Sequence, residues 1–416
     1  MTPNVFDPRI FARGVPHEAL RTLRDTEPVS WQAEHEVGIW PDGPGFWAVT
    51  RHEDVRHVLR TPADFSSSLG ATQIRDPDPA DLPFIRRMVL NMDPPEQGRL
   101  RRLVSGAFTR RRAESFAEVV RARAVALLDS VAGKGCCDLP RDVTDDLPLQ
   151  NLADLLGVPV ADRNLLLEWT NRVIGYQDPE HAEVVRDAEG RPVNPRSPAM
   201  LADMFAYADE LAEHKRRYPA DDVLSALVQA EVDGERLSAT ELQMFFFLLV
   251  IAGNDTVRSA LPGGVLALVE EPEAYRRLRA EPQLLPSAIE EMLRRHPPVL
   301  TFRRTATREL VLGGRHIAAG DKVVVYHVSA NHDERRFPEP FRFDPTREPN
   351  EHVSFGQGPH LCLGAAFARM QMRVFFTEFL TRLPQVELHG PPRRLTSNFI
   401  NGVTSLPLRW GARTAS

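Results

Sequence analysis

The chain has 416 residues, a net charge of −6, 42% hydrophobic residues and 26% charged residues. This composition is typical of a globular protein with a large core and gives no indication of nucleic-acid binding. Residues 1–14 hold no apolar run, which argues against a secretory signal, and 3 cysteines are too few for a disulfide scaffold. No linker or repeat divides the chain, so we predict a single domain over residues 1–416, cytoplasmic and without a membrane anchor.

Strand-like alternation of apolar and polar residues is found near the two ends of the chain, at 45–55 and 309–331. Between them, apolar residues recur mainly at spacings of three and four, which indicates amphipathic helices. The polar, proline-broken stretch 176–200 predicts a surface loop between two helices. The pattern as a whole therefore predicts a mainly α-helical protein with small β-sheets.

The segment MDPPEQGRLRR, residues 92–102, opens one of these helices. Gln97 and Arg101 are four residues apart and therefore share one face of it. Both can donate hydrogen bonds to an anionic ligand, and the alternative for Arg101 is an ordinary surface arginine.

A long helix is predicted to start at Ser238, because SATE (238–241) fits a capping box. Apolar residues fill almost every position from Met244 to Ala252, which is typical of a helix buried on all sides. Pro262 has no N–H to donate to the carbonyl of Arg258, so we expect a kink there and a broken or redirected far end.

The polar stretch AGNDT (252–256) interrupts this apolar helix. The hydroxyl of Thr256 can donate to the carbonyl of Ala252, four residues earlier, and bend the helix. A buried Asp–Thr pair is unfavourable unless it serves a purpose, so we interpret Asp255 and Thr256 as functional residues.

The segment FGQGPHLCLG, residues 355–364, surrounds Cys362 with glycines just before a helix expected to begin at about Leu363. The helix amino terminus favours a thiolate, which could serve as a nucleophile or as a metal ligand. A buried structural cysteine is the alternative, but the spacing of Phe355, Gly358 and Gly364 favours function.

The spacing of Phe355, Gly358, His360, Cys362 and Gly364 resembles the haem-binding signature of the cytochrome P450 family. The AGNDT stretch resembles the oxygen-binding part of the central helix in that family, and the resemblance extends over about residues 15–410. It implies a triangular, mainly helical fold that holds haem b between the central helix and the helix after the cysteine. It also implies that Cys362 is the axial iron ligand, a thiolate that favours O–O cleavage.

The resemblance assigns further roles residue by residue. Phe355 is expected to shield the sulfur, and Ala252, Gly253, Asp255 and Thr256 are expected to accommodate O2 and deliver protons. The remaining residues assigned to the cofactor, mainly through its propionates and the turn beside it, are Gln97, Arg101, Arg304, His360, Gly358 and Gly364.

An ion cluster is also implied, because EEMLRR (290–295) contains Glu291 and Arg294 at the spacing of the family's paired charges. Arg342, in FPEPFRFDP, matches the third member of that cluster. Its expected role is to fix the core around the cysteine loop.

By the same analogy, the substrate pocket is mostly apolar, with Asn254 or Asn401 available for one polar contact. Its expected lining residues are Met88, Val89, Leu90, Val250, Ile251, Asn254, Val299, Leu300, Phe302, Phe399, Ile400 and Asn401.

The resemblance therefore implies a haem-thiolate monooxygenase that inserts one oxygen atom of O2 into a terpenoid, steroid or polyketide. NAD(P)H would supply electrons through a ferredoxin and a ferredoxin reductase, and the arginine-rich stretch 99–112 with Arg369 could form a basic docking face. We expect a monomer. The alternatives are a peroxide-driven haem enzyme and a non-catalytic haem- or ligand-binding protein; both leave the Asp–Thr pair without a role.

Overall fold

The computed structural model of this protein describes residues 2–38, 41–174 and 197–411. The predicted loop at 176–200 falls outside these ranges except for its last four residues, where a short 3₁₀ helix (Pro198–Leu201) begins. Helices dominate the described part, as predicted. They are α1 (Pro8–Ala12), α2 (His17–Thr26), α3 (His52–Arg60), α4 (Leu82–Ile85), α5 (Glu96–Ser105), α6 (Arg110–Ser115), α7 (Ala117–Ala132), α8 (Asp146–Leu156), α9 (Arg163–Ile174), α10 (Ala202–Arg217), α11 (Val223–Gln229), α12 (Ala239–Val269), α13 (Pro272–Ala280), α14 (Leu285–Arg295), α15 (His327–Ala330) and α16 (Ala365–Arg382).

The strands are short and come mainly from the two ends of the chain. They are β1 (Val29–Gln32), β2 (Phe46–Val49), β3 (Phe65–Ser66), β4 (Cys136–Asp138), β5 (Glu231–Val232), β6 (Glu235–Arg236), β7 (Thr301–Ala306), β8 (Leu310–Leu312), β9 (Arg315–Ile317), β10 (Lys322–Tyr326), β11 (Val386–Leu388), β12 (Arg393–Arg394), β13 (Val403–Ser405) and β14 (Pro407–Trp410).

The largest sheet has the strand order β1-β2-β10-β7-β3. Strand β10 runs parallel to β2 and antiparallel to β7, so that Val324 lies opposite Ala48 on one side and Arg303 on the other. The observed strands are shorter than the stretches of alternating residues that predicted them. The 45–55 pattern gives only β2 because α3 begins at His52, and the 309–331 pattern gives β8, β9, β10 and then α15.

The central helix α12 begins as predicted, with a capping box between Ser238 and Glu241. It then continues without interruption through Pro262 to Val269, so the predicted break does not occur. The far end is held by packing: Gly264 lies against Phe376 of α16, where a Cβ would approach the ring to 2.6 Å. Burial of the helix on all sides thus outweighs the loss of one backbone hydrogen bond.

Two large hydrophobic clusters surround α12. One is shared with α7, α13, α14 and α16, and the other with α5, α8, α9, α10 and α11. Within the described ranges, α12 is also the one helix that is long and apolar enough to cross a membrane. Its packing between the two clusters accounts for that apolar composition.

Candidate active site

The cysteine loop, residues 355–364, is closed by its own backbone. Gly358 has a φ of +67°, a left-handed conformation that other L residues rarely adopt. A Cβ at Gly358 would also lie 2.6 Å from the carbonyl oxygen of Leu59. The N–H of Cys362 donates to the carbonyl oxygen of Phe355 at 2.8 Å. Glycine is therefore required at 358 both by the turn and by the contact with α3.

The thiol of Cys362 faces a large cavity and precedes the first turn of α16, which begins at Ala365, two residues later than predicted. Burial raises the pKa of the Cys362 thiol, whereas the backbone N–H of Gly364 and the guanidinium groups of Arg101 and Arg369 lower it. A metal ion bound to the sulfur would supply the remaining stabilisation of the thiolate.

The cavity extends along α12 to α16 and the cysteine loop, and its lining is mainly apolar. The structure brings together in its walls many residues that the sequence assigned to the cofactor, to oxygen chemistry or to substrate binding. These are Val89, Leu90, Gln97, Arg101, Ala252, Gly253, Thr256, Val299, Phe302, Phe355, His360, Cys362 and Gly364.

The other residues expected to line the substrate pocket are not in the cavity wall. On α12 the lining stripe includes Leu249, Ala252 and Thr256, at spacings of three and four. The remaining positions of the same stretch point elsewhere and pack in the protein interior. The expected lining residues that the structure places outside the wall are Met88, Val250, Ile251, Asn254, Leu300, Phe399, Ile400 and Asn401.

Residues 399–401 instead support the wall from behind. The N–H of Leu300 donates to the carbonyl of Phe399 at 2.8 Å, and the Phe399 ring lies 5.7 Å from that of Phe302. The N–H of Asn401 donates to the carbonyl of Pro298 at 2.8 Å. These contacts hold the segment that carries Val299 and Phe302 at the cavity.

Several lining residues were missed by the sequence analysis. Asn151 of α8 and Gln371 of α16 both line the cavity and are joined by a hydrogen bond of 2.9 Å between Asn151 Nδ2 and Gln371 Oε1. They are 220 residues apart, so no local pattern could reveal the pair. Most of the other missed residues are apolar, among them Val104, Phe108, Leu152, Leu155, Phe245, Leu248, Leu249 and Phe367.

The site has the features that haem requires. A Cβ at Gly364 would meet no atom within 4 Å, so a flat group can lie against the start of α16. Arg101 and Arg304 form no ion pair with a carboxylate in the described residues. Arg101 lines the cavity, whereas Arg304 is buried, only 3% exposed, and is not among the lining residues. Burial lowers the pKa of Arg304 to about 10, and burial together with Arg304 lowers the pKa of His360 to about 3. Two unpaired arginines near an imidazole are suited to bind carboxylates such as the haem propionates.

Two of the residues predicted to bind the cofactor have hydrogen-bond partners in the protein. The side-chain amide of Gln97 donates to the carbonyl oxygen of Pro359 at 2.7 Å, and Arg101 donates to the carbonyl of Leu361. These bonds attach α5 to the cysteine loop. Gln97 therefore orients the loop in addition to lining the cavity.

The AGNDT stretch has the predicted local geometry. Thr256 Oγ1 donates to the carbonyl oxygen of Ala252 at 2.7 Å, and both residues line the cavity. At Gly253, an added Cβ would lie 2.9 Å from Leu152, so the glycine allows α12 to approach α8.

Asp255 is 6% exposed, and its Oδ2 has no hydrogen-bond partner in the described residues. Burial raises the pKa of this carboxyl to about 7, although Arg258, 4.0 Å away, lowers it. Arg258 in turn donates to Asp145 at 2.7 Å. Neither partner was predicted from the sequence: Arg258 is marked only by its position three residues after Asp255, and Asp145 comes from the turn before α8. Together they connect the buried carboxyl to partly exposed charges.

The predicted ion cluster forms, but its third member is different. Arg294 donates to both oxygens of Glu291 at 2.7 and 2.8 Å, and both side chains are fully buried. Arg342 was predicted to join them and does not: it lies at the surface and pairs with Glu339, three residues earlier. Arg347 takes this position, with its Nε 3.1 Å from both oxygens of Glu291.

A helical fold with a cysteine just before a helix, facing a cavity that is also lined by an arginine and a histidine, is the arrangement of the haem-thiolate class of proteins. Comparison with known proteins agrees. The cytochrome P450 family model matches residues 192–405. A methyl-branched lipid omega-hydroxylase of Mycobacterium tuberculosis is 40% identical over 397 residues, which is 94% of this chain and 90% of the relative. A steroid C26-monooxygenase of Rhodococcus jostii is 36% identical over 417 residues, 99% of this chain and 84% of the relative.

Solved structures agree as well. A cytochrome P450 of Mycobacterium marinum in complex with pseudoionone is 37% identical, with a TM-score of 0.85 over 99% of this chain and 100% of that one. A crystal structure from Novosphingobium aromaticivorans is 31% identical, with a TM-score of 0.86 and 99% coverage of both chains. This chain belongs to the cytochrome P450 family. It has the cytochrome P450 fold and is a monooxygenase that hydroxylates hydrophobic small molecules, with haem, thiolate ligation and O2 as the family implies.

Proposed function

We propose that Cys362 is the axial ligand of the haem iron and that Arg101, Arg304 and His360 hold the propionates. Phe355 and Gly364 would enclose the ligand side of the cofactor. The haem, when bound, supplies the activation of O2, and the protein supplies binding, orientation and protons.

The observation that carries the proposed oxygen chemistry is that the cavity-lining Thr256 directly follows the buried, protonatable carboxyl of Asp255. With a pKa of about 7, Asp255 can both take up and release a proton near neutral pH. Arg258 and Asp145 connect it to the surface, and its unpaired Oδ2 can pass a proton inward. The Thr256 hydroxyl, fixed by its bond to Ala252, can accept a hydrogen bond from a water in the cavity and so position the final donor.

The experiment compares Thr256→Ala with Thr256→Ser, which keeps the hydroxyl. We expect Thr256→Ala to retain substrate binding and NAD(P)H consumption but to release hydrogen peroxide in place of product, whereas Thr256→Ser couples electrons to product. NAD(P)H oxidised, peroxide formed and product made are measured together. Full coupling in Thr256→Ala would contradict the proposal, and activity from added peroxide alone would support the peroxide-driven alternative.

We propose that the substrate is a lipid or steroid with an apolar chain. The upper part of the cavity is lined by apolar side chains such as Val89, Leu249, Val299 and Phe302, which offer few polar contacts. The mycobacterial and rhodococcal relatives are named for a methyl-branched lipid and for steroids. Spectral titration of the haem protein with branched fatty acids, steroids, terpenoids and polyketides tests this order of preference; tighter binding of the last two classes would contradict it.

We propose that a ferredoxin, reduced by its reductase, delivers electrons to this cytoplasmic, monomeric enzyme. Of the arginines in the predicted docking face, we retain Arg102, Arg110 and Arg111, which are exposed and form no ion pair with the described residues. Arg99 and Arg112 are instead paired within the protein, to Glu96 and Asp221 among others. Reduction by an acidic ferredoxin should slow as salt rises, because exposed charges are screened within about 8 Å at physiological ionic strength. Reduction that is independent of salt would exclude this face.

A further inference from the structure

Arg369, on the first turns of α16, is exposed but paired, so it is not a free docking charge. Its Nε and Nη2 donate to the two oxygens of Glu290 on α14, both at 2.7 Å. Its guanidinium carbon also lies 4.4 Å from the centroid of the Phe355 ring. Arg369 thus binds a carboxylate on one side and an aromatic ring on the other.

His352 completes this arrangement from the chain segment before the cysteine loop. Its Nε2 lies 3.1 Å from Oε2 of Glu290, its side chain is 4% exposed, and its ring centroid is 6.1 Å from that of Phe355. Phe355 is therefore enclosed by Arg369 and His352, which share Glu290 as their partner. The carbonyl of the same Phe355 accepts the N–H of Cys362. We name Glu290, His352 and Arg369 the Phe355 clamp.

We propose that the Phe355 clamp positions Phe355 over the thiolate and sets the electrostatic field at the haem iron, with Arg369 and Glu290 as opposing charges. This inference rests on the proposed role of Cys362 as iron ligand. Reduction of ferric to ferrous haem adds one negative charge, so a nearby positive charge favours reduction and a nearby negative charge opposes it. Because Arg369 and Glu290 form a pair of opposite charges, their effects on the reduction of the haem iron largely cancel in the native protein.

The test removes the two charges singly and together. Glu290→Gln leaves Arg369 uncompensated and should favour the ferrous form by about two- to tenfold at fixed reductant potential. Arg369→Gln leaves Glu290 uncompensated and should shift the same equilibrium by a similar factor in the opposite direction. The double variant should return close to wild type. The measurement is a spectroelectrochemical titration of the haem protein at low ionic strength and pH 8.

A matched control exists one turn farther along α16. Arg373 pairs with Glu114 at similar exposure, 39% and 44% against 44% and 27% for Arg369 and Glu290. Arg373→Gln and Glu114→Gln should leave the equilibrium unchanged. If the Glu290 and Arg369 variants lose only thermal stability, without shifts of opposite sign, the pair merely joins α14 to α16 and the inference is wrong. All variants keep Cys362, so the absence of a thiolate spectrum in the wild type would refute the proposed ligand instead.

Discussion

The regions behind the two sides of the cavity differ in how their buried polar groups are paired. On the cysteine side, Glu291 accepts hydrogen bonds from Arg294, Arg347 and Asn350, all within 3.1 Å. On the α12 side, both amide atoms of Asn254 and Oδ2 of Asp255 are buried without a partner in the described residues.

This difference matches the role that we propose for each side. A metal ligand must stay in one position, and the buried ion pairs behind the cysteine loop provide that rigidity. A proton donor must gain and lose hydrogen bonds, so complete pairing would hold its proton in place. The unpaired groups on α12 are unfavourable for stability, and such groups are concentrated at functional sites.

The largest effect is expected on the cysteine side. Cys362→His should abolish the red-shifted Soret band that a thiolate ligand gives the reduced carbon monoxide complex, because imidazole replaces sulfur at the iron. Cys136→Ser and Cys137→Ser, on strand β4, are matched controls and should leave the spectrum unchanged. Persistence of the band in Cys362→His would show that another group binds the iron.

The ion cluster behind that wall should be the next most sensitive. Glu291→Gln leaves the buried Arg294 and the nearby Arg347 without their carboxylate, and should lower the free energy of unfolding by about 3–5 kcal/mol. Arg342→Gln, at the exposed position predicted from sequence, should change it by less than about 0.5 kcal/mol. Urea denaturation measures both. Equal losses of unfolding free energy in Glu291→Gln and Arg342→Gln would show that Arg342 belongs to the ion cluster after all.

On the α12 side, activity should change more than folding. Asp255→Asn should slow turnover by about 10²-fold, as expected for loss of a positioned proton donor. In the wild type, turnover should fall as the pH rises through 7, because the raised pKa of Asp255 keeps it protonated only below that value.

The free energy of unfolding should also fall from pH 3.8 towards 7, since the folded state binds the proton more tightly, and the variant should lack both dependences. If Asp255→Asn kept the wild-type pH dependences of turnover and unfolding, the titrating group would be a residue other than Asp255.

The smallest expected effect is a gain in stability on the α12 side. Asn254→Leu replaces a buried, unpaired amide by an apolar side chain of similar size and should raise the free energy of unfolding by about 1 kcal/mol. The same urea experiment measures it, with Val250→Leu, also on α12 and fully buried, as a control for packing. A loss of stability in Asn254→Leu alone would indicate that the amide is paired, for example with buried water.

The sequence by itself determined the features that depend on short spacings along the chain. The capping box at Ser238, the bond from Thr256 to Ala252 and the pair of Glu291 with Arg294 join residues three or four apart on a helix. Helix geometry alone brings such side chains together. The turn at Gly358 is equally local, because it depends on the backbone conformation of a single residue.

Only the tertiary structure decided which distant residues meet. Nothing in the spacing distinguishes Arg347 from Arg342 as the partner of Glu291, but only Arg347 is placed near the buried carboxylate. In the same way, Asp145 reaches Arg258 across 113 residues, and Arg369 reaches Glu290 across 79. Such contacts depend on how helices pack, and packing is decided by the burial of side chains from the entire chain. For the same reason Pro262 does not end α12: the apolar contacts on all sides of the helix stabilise it more than one missing hydrogen bond weakens it.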